Sequence, residues 1–390
     1  MPEEDSPQRD TVRQDSQQHD TVRQETPHGP SHGTPKEDPP PLPAIPVAGE
    51  PWRLVFAPDG SHAYVAVSAP AGGGGGAGGG GSEGRVAVID TAGGVAVADI
   101  PLGNLFLGLL GGDLAVTPDG RHLYVTGGRD TVTVVDTATR QVAARIPLPA
   151  GFALATGVAV GPDGRQAYVL AQENEGGAGV MCVIDTASRT VDRLIRGLSF
   201  EPFGVDLTPD GHHAYVSHFG DSGMLVDLAT GSAEVLPFPF EGAFRLAVTP
   251  DGTRGYVGRD HNDDLFATDL KTHAVTAVVP TTRNVADVIV TLDGRLVYAS
   301  QSGGHGPGPN VMVIDTATAR PACCPASWDN AQPRGMAVTP DGKSVYVTDS
   351  RLHKVLVVPV PDPVPDPVPD SVGNPVPDVL PDAPSGRGDR

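Results

Sequence analysis

The sequence predicts an all-β fold: a seven-bladed β-propeller with four antiparallel strands per blade, closed by an N-terminal outer strand and flanked by disordered tails. Three observations carry this. First, one short turn recurs seven times, as Pro58-Asp59-Gly60, Pro118-Asp119-Gly120, Pro162-Asp163-Gly164, Pro209-Asp210-Gly211, Pro250-Asp251-Gly252, Leu292-Asp293-Gly294 and Pro340-Asp341-Gly342. Successive glycines stand 60, 44, 47, 41, 42 and 48 residues apart, the period of a four-stranded blade. Second, short β-branched runs bounded by turn residues flank each turn. Third, the strand count comes out one short at the C-terminus and one over at the N-terminus.

The second repeat gives the template. Strand A is expected at 113–117, B at 122–126, C at 131–136 and D at 141–148. These runs are apolar almost throughout, as strands pressed by neighbours on both faces must be. Proline pre-sets φ at the first corner of the A–B turn and glycine supplies a positive φ at its end. The C–D link is an Asp-Thr-type turn whose side chains can bond the local backbone; it occurs at Asp90, Asp136, Asp185, Asp227, Asp269 and Asp315. Six C–D turns accompany seven A–B turns. The last C strand, Lys354 to Val358, runs into prolines, while Pro43-Ala-Ile-Pro-Val47 precedes the first A strand and matches the D-strand ending Arg145-Ile-Pro-Leu148. The N-terminal piece is therefore expected to complete blade seven and remove the open sheet edge.

Three domains follow: a polar, acidic tail at 1–42, the propeller at 43–360 and a Pro-rich tail at 361–390. The first tail is too poor in apolar residues to offset its chain entropy. The second is a Pro-Val-Pro-Asp tract of polyproline type. The net charge of −20 and the lack of any Lys/Arg-rich run exclude nucleic acid as a partner. No run of about 18 apolar residues is present, so no helical membrane span is expected. No export signal is visible, so the cytoplasm is the expected location by default. Only four of 27 basic residues are lysine, a bias that points to a GC-rich, actinobacterial source. Three cysteines cannot make a disulfide framework. Cys182 reads as a small buried hydrophobe, and the Cys323-Cys324 pair falls by an outer strand. The glycine insert between Gly72 and Gly81 reads as a flexible B–C loop, with neither a following helix nor a Gly-Lys-Ser/Thr to make it a phosphate loop.

Subtracting the template shows the site candidates. Four residues before each A–B turn threonine, or its equivalent, stand Arg53, Asp113, Gly157, Gly204, Arg245, Asp287 and Gly335. Glycine is the template residue, so two arginines and two aspartates depart from it at the channel mouth, with Arg334 one step earlier. They make either a polar pocket for a small anion or zwitterion, or a set of mouth ion pairs. Arg259 and His218 lie beside B–C loops, and Trp52 and Trp328 enter D–A loops as packing plugs or ligand stackers. His218, His261, His305 and His353 are the weak metal candidates, but no short spacing preorganises a pair, so no metal and no cofactor is expected.

The motifs Tyr64-Val-Ala-Val67, Tyr124-Val-Thr-Gly127, Tyr168-Val-Leu-Ala171, Tyr215-Val-Ser-His218 and Tyr346-Val-Thr-Asp349 each follow their A–B turn, with Val-Ile-Asp-Thr or a variant after them. In these the chain resembles the bacterial YVTN-repeat, YncE-like propellers over residues 43–360. The resemblance implies a recognition or scaffold role, often at the cell envelope, with a protein partner or a small polar ligand on the face shared by D–A and B–C loops. The chain is expected as a monomer. The alternative is an enzyme of lactonase- or lyase-like propeller type, acting on a small polar substrate or natural product at the channel mouth; catalytic residues are not identified.

Overall fold

A computed structural model describes residues 42–69, 83–103, 112–127, 130–173, 177–218, 223–237, 243–259, 263–302, 310–322 and 326–362. Residues 1–41 and 363–390 of the two tails, the glycine insert, Cys323-Cys324, His261 and His305 lie outside them.

Seven antiparallel sheets follow one another along the chain. In blade one the strands are Glu50–Phe56, His62–Ala69, Glu83–Asp90 and Val95–Gly103, paired in that order. Blade two is Leu114–Val116, His122–Val125, Thr131–Asp136 and Gln141–Pro147. Its strand A is shorter than expected: Asp113 still accepts the Thr126 N–H at 3.1 Å, but its own N–H goes to the Thr126 hydroxyl at 2.9 Å and its carboxylate takes the Leu114 N–H at 3.0 Å. Blade three splits strand A into Phe152–Ala153 and Val158–Val160, both paired with strand B, Gln166–Glu173. Blades four to six keep the template. No helix occurs among the described residues, and none is long and apolar enough to cross a membrane.

Blade seven closes as expected. Its strands A, B and C are Pro333–Val338, Ser344–Asp349 and Lys354–Pro359, and Ala44–Pro46 is its fourth. Ala44 faces Leu356 and Ile45 faces Val355 in antiparallel register. Flanking bonds extend the ladder, from Val357 N to Pro43 O at 2.9 Å and from Val47 N to His353 O at 3.0 Å. Ile45, at 2% exposure, packs into the core shared by blades seven and one, with Phe56, Val65, Tyr346 and Val355.

The turn chemistry explains the repeated motifs. In blade two, Gly120 N donates to Thr117 O at 2.8 Å, Asp119 Oδ1 takes the Thr117 hydroxyl at 2.6 Å and the Arg121 N–H at 3.0 Å, and Thr117 Oγ1 takes the His122 N–H at 3.0 Å. These bonds hold the Asp119 carboxyl below its usual range, the Thr117 hydroxyl foremost. All seven turn glycines have φ between 69° and 73°, where a Cβ is costly. The threonine after the C–D turn aspartate in blades one, two, three and six then reaches back to the A–B turn, as Thr137 Oγ1 does to Gly120 O at 2.6 Å.

The turns also touch from blade to blade. A Cβ on Gly120 would meet Pro58 of the previous blade at 3.4 Å, and one on Gly60 would meet Pro340 of blade seven at 3.6 Å, so the contact runs through the closure. It fails once. A Cβ on Gly342 would meet nothing within 4 Å, and the residue due to approach it is Leu292, which stands where proline recurs and is 55% exposed.

Candidate functional site

The inner strands bulge where they reach the channel mouth. The A–B register slips between Pro51 and Leu54, Pro202 and Gly204, Ala243 and Arg245, Val285 and Asp287, and Pro333 and Met336. A bulge bends the strand and re-aims its side chains. Here it places Trp52, Arg53 and Arg334 in extra positions and turns the neighbouring charges toward the axis.

Glycine recurs at the mouth because the next blade passes close by. A Cβ on Gly157 would meet Phe203 O at 2.8 Å, and one on Gly335 would meet Trp52 O at 2.5 Å. Strand B hydroxyls bind the same bulged backbone across the gap. Ser300 donates to Arg334 O and Thr348 to Trp52 O, each at 2.9 Å, the second sealing blade seven to blade one.

The four charges that depart from glycine find one another. Arg245 of blade five reaches across the channel to Asp113 of blade two, with Nη2 at 2.9 Å from Oδ2. Arg53 of blade one holds Asp287 of blade six at 2.7 Å. Arg245 Nε also lies 3.8 Å from Asp287. Each aspartate accepts an N–H from the following blade as well, Asp287 from Met336 at 2.8 Å and Asp113 from Val158 at 3.4 Å. Of the two sequence readings, the geometry is that of ion pairs: the charges brace the ring from side to side.

A fifth member was missed. Asp206, on strand A of blade four (Pro202–Leu207), lies 4.0 Å from Arg245 Nη1. The same template subtraction, made two residues further on, finds it: the equivalents are Val55, Ala115, Ala159, Ala247, Ile289 and Ala337. Three carboxylates against two guanidiniums leave the cluster one negative charge over. Burial pushes the Asp206 carboxyl up to about 6; Arg245 opposes this, and Asp113 and Asp287 reinforce it. Burial also works against the Arg245 charge, but the surrounding carboxylates outweigh it and push its pKa up.

These groups line a central cavity of about 480 Å³ whose other wall residues are apolar. It extends from the charged ring to Leu292 on the A–B turn of blade six.

The other candidates fall elsewhere. The Arg334 guanidinium lies over Trp52, 5.0 Å from the ring centroid, and its Nε is 3.4 Å from Ser350 Oγ. Trp328 is pinned, its Nε1 donating to Asp349 Oδ2 at 2.6 Å while Gln332 N donates to the same oxygen at 3.1 Å. Arg259 is held within its own blade by two bonds to Asp264, of 2.7 and 2.6 Å, and stacks on Phe266 at 4.6 Å. His218 is fully buried at the end of strand B in blade four (His213–His218), and His353 sits in the B–C loop of blade seven. Among the described residues no group of three or more His, Cys, Asp or Glu could hold a metal ion. Cys182 is buried in strand C of blade three (Gly179–Asp185), which pushes its thiol up to about 12.

No protein-family model matches the chain. A relative, the seven-bladed beta-propeller protein Rv1057 of Mycobacterium tuberculosis, is 34% identical over 155 residues, covering 38% of this chain and 37% of that protein. The match thus spans just over a third of that relative's length. A chain of Kuenenia stuttgartiensis hydrazine synthase superposes with a TM-score of 0.62 at 20% identity, over 85% of this chain and 99% of its own, a likeness of fold alone. The sheet order, the closure and these comparisons agree: the chain is a seven-bladed β-propeller.

Proposed function

We propose that the protein is a non-enzymatic binding module of the YVTN, YncE-like kind, which presents its D–A and B–C loop face to a small anionic or zwitterionic ligand or to such a group on a protein partner. The observation that carries this is the cross-channel bracing. Arg53, Asp113, Arg245 and Asp287 spend their charge on one another, which makes a stiff ring, while Trp52 and Arg334 pair at the seam of blades seven and one on the loop face. An arginine stacked on an aromatic ring keeps its planar donors oriented for a carboxylate or phosphate. Trp328 and Asp349 buttress the same seam.

The test is a thermal-shift and calorimetric screen of small carboxylates, phosphates and amino acids against the intact chain. Ligands that bind without turnover, and lose binding in both Arg334→Ala and Trp52→Ala, support the reading. Turnover, or binding unaffected by either change, overturns it.

One observation favours the second reading, an enzyme of lactonase- or lyase-like propeller type. Asp206 combines a raised pKa of about 6 with a place on a cavity, a combination suited to a general acid or base. Hydrolysis of lactone probes that disappears in Asp206→Asn supports that alternative.

A further inference from the structure

We propose that the central channel is a binding well for a protonated amine, which enters from the A–B turn end, sets its ammonium against Asp206 and lays its hydrocarbon along the apolar wall. This stands apart from the loop-face reading, since it uses the other end of the molecule.

The charge balance of the well comes first. Asp113 and Asp287 each have an arginine within 2.9 Å and a backbone N–H from the next blade. Asp206 has neither. Its nearest guanidinium nitrogen is 4.0 Å away, and among the described residues its carboxylate accepts no hydrogen bond. It is the surplus anion of the cluster: it shares Arg245 with Asp113 and Asp287 and has the longest contact of the three, so a further cation would complete its pairing.

Geometry comes second. About 32% of the Asp206 side chain is open, and that area faces the cavity, because the residue lines it. The mouth side is crossed by the Arg245–Asp113 and Arg53–Asp287 pairs, so the charged ring forms a floor. Toward the opposite end the wall is Val160, Val248, Val290, Val338 and the exposed Leu292. The volume of about 480 Å³ is that of a small-molecule site. One weakly paired carboxylate above an otherwise apolar wall selects an alkylammonium over an anion, which the carboxylates repel, and over a neutral alcohol, which carries no charge to pair with it.

The charged groups facing Asp206 are Arg53, Asp113, Arg245 and Asp287, which act together with the larger effect of burial to set its affinity for a proton. An ammonium ligand and a proton therefore compete for one carboxylate. With a pKa of about 6, roughly a tenth of Asp206 is ionised at pH 5, so binding weakens about tenfold between pH 7.5 and pH 5.

The experiment is calorimetric titration of the full chain with n-hexylammonium chloride at pH 7.5 and pH 5, with hexanoate and 1-hexanol as controls. Hexylammonium is expected to bind, hexanoate not, and hexanol about tenfold more weakly or worse. Asp206→Asn, which keeps the shape and removes the charge, loses at least about tenfold in affinity and the pH dependence with it. Ala159→Leu, which narrows the wall from blade three while leaving Asp206 intact, abolishes binding. Unfolding midpoints of both variants establish that the ring is closed. No heat of binding up to ~10 mM, or equal affinity for hexanol, or an Asp206→Asn protein that binds as wild type does, overturns the proposal.

Discussion

Replacing Arg245 by methionine removes a side chain that ties blade five to blades two, four and six. In the folded protein its guanidinium lies 2.9 Å from Asp113, 3.8 Å from Asp287 and 4.0 Å from Asp206. At an effective dielectric of about 20 the shortest of these contacts alone is worth ~6 kcal/mol of gross attraction. Desolvation of the guanidinium offsets part of this, so the gross figure is not the loss. The loss comes from what remains: three carboxylates with only Arg53 between them, in a site where Asp113 and Asp287 are buried. Breaking a buried pair from one side costs about 3–5 kcal/mol. Arg245→Met should therefore lower the stability by about 3 kcal/mol at pH 7.5, read as a fall in the urea midpoint. Adding Asp206→Asn to it should return a third or more of that loss, because the double variant carries one fewer uncompensated anion. Acidification should act the same way, since protons then replace the missing arginine. A single variant within about 0.5 kcal/mol of wild type at pH 7.5 would refute the bracing argument, as would a double variant less stable than the single one.

Further predictions follow from the same geometry. Leu292→Pro restores the residue found at the six equivalent turns and the contact that Gly342 lacks; it should stabilise by about 0.4–1 kcal/mol, and a loss of stability would contradict the assigned turn. Ile45→Ala empties a site at 2% exposure between blades seven and one and should cost about 2–4 kcal/mol, measured by denaturant unfolding. The Asp206 pKa is raised on folding, so the folded state holds a proton that the unfolded chain has released between about pH 4 and pH 6. Its stabilising contribution is complete below that window and fades as pH rises through it. The difference in stability between wild type and Asp206→Asn should show that slope, and a flat difference would remove Asp206 from the cluster.

The fold was legible because its determinants are local. Each Pro-Asp-Gly turn is fixed by a positive φ and by bonds spanning at most five residues, such as Thr117 to Asp119 and His122 to Thr117. The closing strand was legible by counting, since a blade with no outer strand and an outer strand with no blade imply one another. The charged ring was legible as a departure from glycine, but its use was not. Whether Arg245 meets a ligand or Asp113 depends on bulges in the A–B register and on the width of the channel, and neither leaves a mark at 132 residues' separation. Asp206 was hidden for a different reason: it sits one channel layer below the positions compared, although the same comparison repeated there reveals it. Arg259 read as a mouth residue because the strand end suggested a loop, whereas Asp264, five residues on, claims it first.

The central claim is that one ring is closed by strands from both parts of the chain, with Ala44–Pro46 as a full member of blade seven. Native-state amide exchange tests it most directly. The Val47 and Val357 amides, bonded to His353 O and Pro43 O across the closure, should exchange only through unfolding of the ring, at rates matching the Val65 amide inside blade one. Exchange of Val47 and Val357 orders of magnitude faster than Val65, as at a frayed terminus, would contradict the closure and the geometry built on it.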